Sequence, residues 1–142
     1  MNAHALAVLE FSRVLHLVAE RAASSLGAER VRALTPRTDR AWLDVEHARV
    51  SAMRAMRGGD HPWYPEPLPD VTAALARLRV AGSRWTGDEL RQGGQLLRSS
   101  RLTREALRDD KRPAVARAVL EPFVDRLLSQ RMVEDAIDHT FD

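Results

Sequence analysis

Apolar residues recur along this chain at helical spacing and nowhere alternate with polar ones over the length of a strand. The first segment, Ala5-Leu6-Ala7-Val8-Leu9-Glu10-Phe11, does not share a helical phase with the residues after it. Ser12 is a candidate N-cap, after which Val14, Leu15, Val18, Ala19 and Ala22 fall within about 140° of one helical face. Ser24-Ser25-Leu26-Gly27 predicts the end of that helix, with Gly27 in the left-handed C-terminal position. A short helix from Ala28 to Leu34 is stopped by Thr35-Pro36. Thr38 or Asp39 opens a longer helix through Trp42, Val45, Val50, Met53 and Met56, ending at Gly58-Gly59. Glu46 and Arg49 sit three apart within that stripe and are expected to pair.

The stretch from Asp60 to Pro69 holds four of the seven prolines and is expected to be extended. Asp70 then caps a helix through Ala74, Leu75 and Leu78 that closes around Gly82. Thr86 and Glu89 have capping-box spacing and predict a long helix to about Arg108. After the turn Asp109-Asp110-Lys111-Arg112-Pro113, two last helices are expected, about Ala114 to Leu120 and Pro122 to Asp138. Six or seven helices result, with no internal repeat. The final run, from Asp135 to Asp142, has neither a helix stop nor a polar tail, and reads as cut from something longer.

Composition sharpens this into an all-α reading as one multi-helix domain over 1–142. Ala (21), Leu (18) and Arg (21) are strong helix formers, while Ile occurs once, at Ile137. Charge changes the picture less than the sequence pI of about 9.9 suggests. Lys and Arg number 22 against 20 Asp and Glu, and guanidinium does not titrate in the accessible range, so a small excess lifts the pI. The near balance gives no global electrostatic case for a nucleic-acid or membrane partner. Zero Cys excludes disulfides, thiolate metal sites and Cys nucleophiles. No segment has the length of a membrane span or a signal-peptide core, so a cytoplasmic protein is expected.

Candidate chemistry is sparse. The five histidines lie scattered, and no Gly-x-Ser-x-Gly or phosphate-cradling glycine loop exists; Gly58-Gly59 and Gly93-Gly94 lack the spacing and the Lys. His16 and Glu20 have a metal-capable i, i+4 spacing, but a solvated surface pair is the favoured reading. His61 reads as a loop residue. Glu134 and Asp138 stand one turn apart, yet a Mg²⁺ site needs more ligands, and a plain acidic helix face is expected. Trp42, Trp63 and Trp85 read as core or loop anchors ahead of base-stacking platforms. Arg91, Arg98 and Arg108, with Arg101 flanking, read as a basic stripe over about four to five turns of the long helix. Phosphate contact is its functional reading, against a solvated face partly neutralised by Glu105, Asp109 and Asp110.

Particular residues then point to a family. Ala5-Leu6-x-x-Leu9-Glu10-Phe11-x-x-Val14 is followed by Ala22-Ala23-Ser24-Ser25-Leu26-Gly27-x-Glu29, Leu34-x-Pro36 and Asp39. Asp70-Val71-x-x-Ala74-Leu75-x-Arg77 leads to Gly82-Ser83-x-Trp85-Thr86-x-x-Glu89-Leu90, and Ala136-Ile137-Asp138 stands near the end. The chain so resembles the N-terminal region of the second subfamily of bacterial MutS-like proteins, which lack the mismatch-reading domain and often carry a C-terminal Smr nuclease domain. It departs from them where Pro62-Trp63-Tyr64-Pro65-Glu66-Pro67 replaces the family's Pro-Phe-Gly-Gly turn.

The resemblance implies a non-catalytic helical core/lever segment. The parent would be an ATP- and Mg-dependent, DNA-binding homodimer that suppresses recombination in DNA repair, or binds rRNA and acts on collided ribosomes in ribosome quality control. Its ATPase and endonuclease motifs would lie beyond Asp142, so this chain itself is expected to hold no cofactor and no catalytic or metal-binding residue. Its partners would be the rest of the parent chain and, through it, DNA or the ribosome. The competing reading is a free-standing helical interaction or DNA-binding module. A small metal hydrolase using His16 and Glu20, or Glu134 and Asp138, is the remote third.

Overall fold

The computed structural model describes residues 3–58 and 60–141. Gly59 and Asp142, named above in a helix stop and in the final run, lie outside them. The all-α expectation is borne out: among the described residues there are eight helices and no strand. They are α1 Ala3–Val8, α2 Phe11–Ala19, α3 Ser25–Arg32, α4 Arg40–Arg57, α5 Thr72–Arg77, α6 Gly87–Arg108, α7 Ala114–Val124 and α8 Arg131–Asp138. The helix beyond the expected number is α1, the segment whose apolar phase did not match its neighbour. The chain divides into two compact units, Met1–Thr38 and Asp39–Asp142.

In the first unit, α1 and α2 are separated by a turn at Glu10, whose φ of 49° is left-handed. The Glu10 N–H donates to the Ala7 carbonyl at 3.0 Å, and the turn starts α2 at Phe11, so Ser12 is not its cap. Ala19 is buried and Leu15 half-buried, whereas Val14 and Val18 remain 50% exposed. The predicted α2 face is therefore only partly used. Gly27 does not end α2 either. The Ser24 hydroxyl accepts the Gly27 N–H at 3.1 Å, which makes Ser24 the N-cap of α3 and places Gly27 in that helix's first turn.

In the second unit, the Asp39 carboxylate accepts the Trp42 N–H at 3.2 Å and starts α4 as predicted. Its Ala52 and Met56 meet Leu107 of α6 and Ala116, Leu120 and Val124 of α7 in the main core. Met56 and Val124 are completely buried, each contributing about 2–3 kcal/mol by removal from water. Val45 and Val50, expected on that stripe, are instead 48% and 59% exposed. The proline stretch is non-helical as expected and is tied to its surroundings. The Trp63 N–H donates to the Met56 carbonyl at 2.9 Å, the Arg112 guanidinium to the His61 carbonyl, and the Ser99 hydroxyl to the Glu66 carbonyl at 3.4 Å.

Both halves of the capping box form at α6: the Glu89 N–H donates to the Thr86 hydroxyl at 3.3 Å, and the Thr86 N–H to the Glu89 carboxylate at 2.9 Å. Gly93 and Gly94 interrupt good helix formers because neighbours lie where their side chains would stand. A Cβ on Gly93 would sit 2.4 Å from the Trp85 ring, and one on Gly94 would sit 3.1 Å from Ile137. The last two helices differ from the expected pair. Helix α7 runs through Pro122 to Val124, and α8 begins only at Arg131. Pro122 lacks the N–H that would reach back one turn, yet the burial of Val124 holds the next two residues in helical conformation. The helix then ends at once.

Candidate functional site

Three of the four arginines singled out on the long helix, Arg91, Arg98 and Arg101, lie along one seam, where α6 packs on α8. The pairs run in opposite chain directions: Arg91 lies over the Phe141 ring at 4.3 Å, Gly94 faces Ile137, Arg98 binds Asp138 and Arg101 binds Glu134. The helices are thus antiparallel, and their ladder is mixed, a ring contact and an apolar contact followed by two ion pairs. Arg101 is the most enclosed of its arginines. Its Nε donates to both Glu134 oxygens at 3.2 and 3.0 Å, while its Nη1 reaches Glu105 at 3.2 Å. Hydrogen bonding to Glu134, then to Glu105, holds the Arg101 guanidinium more firmly protonated than usual.

Glu134 is only 3% exposed, which overturns the expectation of a plain acidic helix face. At the i, i+3 spacing of Ile137, it lies on the side of α8 that turns toward α6, and only the Arg101 fork makes its burial tolerable. Asp138 is half exposed with its partner Arg98. Met132 and Val133, which look like the apolar face of α8, are 87% and 46% exposed.

The four arginines do not form a single line. Seventeen residues of helix turn Arg108 about 100° away from Arg91, and Arg108 meets Asp125, at the end of α7, at 3.9 Å. Arg91 also lies 3.6 Å from the exposed Asp88. Each therefore has a carboxylate of this chain beside it.

The remaining candidates stay apart. His16 and Glu20 lie 3.4 Å from each other on the surface, the solvated pair expected. His61 is exposed, and it is its backbone carbonyl that is engaged. No group of three or more His, Cys, Asp or Glu side chains among the described residues is arranged to hold a metal ion, and no described helix is long and apolar enough to cross a membrane. Trp85 is an anchor, its Nε1 donating to the Ala74 carbonyl at 2.9 Å and tying α5 to α6. Beside it Arg77 of α5 binds Glu89, holding that carboxyl at about 2 against an ordinary 4.5, with the Thr86 N–H the next cause. The expected Glu46–Arg49 pair forms, with Arg49 also 5.0 Å from the Phe123 ring.

One surface escaped the sequence reading altogether. An open apolar groove of about 590 Å³ runs between α4, α6 and α7, with Val50, Met53, Trp63 and Phe123 in its lining. The only available signal was the surplus of apolar residues on α4 beyond those that the core needs.

The fold is all-helical among the described residues, with a charged seam between α6 and α8 and an open apolar groove beside α4. Comparison with known proteins then gives the family. The chain is 54% identical, over 97% of its length, to a protein named Endonuclease MutS2 from Gemmatimonas aurantiaca. It is 34% identical over 96% of its length to the Endonuclease MutS2 of Listeria innocua, and 36% identical over 73% to that of Symbiobacterium thermophilum. The chain spans about 17% of the length of the first of these relatives. No protein-family model matches it, and no solved structure does. The chain belongs to the second subfamily of MutS-like proteins, as the counterpart of one region of them.

Proposed function

We propose that this chain is a non-catalytic helical core/lever segment of a longer, cytoplasmic MutS2-type protein. The observation that carries the reading is the 54% identity that extends over 97% of the chain but only 17% of the relative. On this reading the parent is a DNA-binding, ATP-dependent homodimer with endonuclease activity. It suppresses recombination or acts on collided ribosomes, and its ATP, Mg²⁺ and nuclease residues stand elsewhere in the polypeptide. The chain's own work is mechanical, to keep helices in register while other parts change state.

The same reading assigns Arg98 and Arg101 a holding role, since each is engaged by a carboxylate of α8. Phosphate contact falls to Arg91 and Arg108, whose looser partners Asp88 and Asp125 are exposed enough for a phosphate to displace.

The test has two parts. The purified 142-residue chain should neither turn over ATP nor cut DNA, whereas the full-length protein should do both. ATP turnover by the chain alone, abolished by changing one of its carboxylates, would sink the proposal. The coding DNA should also continue in frame past Asp142 toward a Gly-x-x-x-x-Gly-Lys-Ser/Thr loop; a stop codon there would favour the free-standing helical module.

A further inference from the structure

The groove in the second unit has a shape and a charge that together specify an occupant. From α4 it is lined by Glu46, Arg49, Val50, Met53, Arg54 and Arg57, a complete i, i+3, i+4 series. Eleven residue steps at 1.5 Å make that wall about 16 Å long, or three turns. Leu107 and Leu120 are buried at the base, while Val50 on the wall is 59% exposed. The charges on its lip are not balanced. Glu46 and Arg49 neutralise each other. Among the described residues, Arg54 has no hydrogen bond or ion pair and Arg57 meets only the Tyr64 ring, at 5.0 Å, which leaves its charge uncompensated.

We propose that the groove receives a three-turn amphipathic helix whose carboxylates face Arg54 and Arg57, and that this helix belongs to the same full-length polypeptide, outside these 142 residues. The source rests on the reading of this chain as a segment of a longer protein. Each feature excludes another class of occupant. A wall with the periodicity and length of a helix is matched by a second helix laid along it, which buries its apolar face on Val50, Met53 and Phe123. A small anionic amphiphile would fill only part of that length. A neutral or basic helix would strip water from two guanidiniums and return no partner, a cost a pair of carboxylates removes.

The experiment is thiol protection in the full-length protein. The 142 residues contain no Cys, so Val50→Cys places one reactive thiol on the groove wall. Maleimide labelling, located by peptide mapping, is compared between the 142-residue chain and the full-length protein. Labelling should be at least tenfold slower in the full-length protein, and adding Arg54→Glu and Arg57→Glu, both at exposed positions, should restore most of the rate. A photo-crosslinker at residue 50 should capture an acidic amphipathic segment of the same polypeptide. Equal rates would overturn the proposal. So would protection that ignores the charge reversals, or a crosslink to another protein or a basic segment. A stop codon directly after Asp142 would remove the lever reading and this occupant together. A continuing frame with an unprotected thiol would remove the occupant alone.

Discussion

Replacing Gly93 by Ala tests the packing of the second unit at its tightest point. In an unhindered helix interior the change stabilises by about 1 kcal/mol, because Ala loses less backbone entropy than Gly. Here the new Cβ would stand 2.4 Å from Cζ3 and 3.1 Å from Cη2 of Trp85. The indole must retreat by about 1 Å to reach ordinary contact, but its Nε1 is bound to the Ala74 carbonyl at 2.9 Å. Overpacking of this kind costs about 1–3 kcal/mol, and a weakened hydrogen bond adds up to about 1 kcal/mol. After the propensity gain, the expected net loss is about 2 kcal/mol. Urea unfolding followed by tryptophan fluorescence should show a lower midpoint at unchanged slope. The double variant Gly93→Ala/Trp85→Phe should lose less than the two single losses added together. Gly87→Ala is the control, since its Cβ would meet Phe141 at 3.5 Å, an ordinary contact, and it should be neutral to within about 0.5 kcal/mol. A Gly93→Ala protein as stable as the parent, or more so, would refute the close approach.

Arg101→Met strands Glu134, 3% exposed, without its partner and should cost about 3 kcal/mol, whereas Arg101→Met/Glu134→Leu should recover most of that in the same unfolding assay. Arg98→Ala, at a half-exposed pair, should cost less than about 1 kcal/mol. The Glu89 carboxyl is held at about 2 against 4.5, so its contribution to stability is complete above pH 4.5 and is lost as the pH falls toward 2. The difference in melting temperature between parent and Glu89→Gln should therefore be constant above pH 5 and shrink below 4.5; a difference independent of pH would contradict the assignment. Asp39→Ala removes the acceptor for the Trp42 N–H and should cost about 1 kcal/mol, read as earlier loss of helical circular dichroism.

Much of the helix plan was legible because local chemistry decides it. The Thr86/Glu89 box and the Asp39 cap act within three or four residues, and both formed as expected. The failures came where a residue's role depends on a distant neighbour. Gly27 looks like a helix end until Ser24 is seen to accept its N–H, and Pro122 looks like a helix start until Val124 is found in the core. Glu134 is the sharpest case. The i, i+3 spacing from Ile137 puts Glu134 on the inward side, but what makes a buried carboxylate tolerable there lies 33 residues away at Arg101. The groove was hidden for the same reason, since an apolar position on α4 shows its partner only when α6 and α7 are in place.

The arrangement of charge on α6 also explains what its arginines achieve. Suppose α8 slid one turn along α6 so that Asp138 reached Arg101. Glu134 would then stand beside Glu105, a like-charge contact, and Ile137 would leave the space above Gly94. A slide the other way would set Asp138 against Gly94 and leave Arg101 without Glu134. Ion pairs of this kind add little net stability over apolar substitutes, so their effect is on which register forms. The close approach at Gly94 acts in the same direction, because a Cβ there would stand 3.1 Å from Ile137 and force it to give way by a few tenths of an ångström. For the lever role proposed here, a single enforced register matters more than added stability, since a helix pair free to slip would absorb a displacement instead of passing it on.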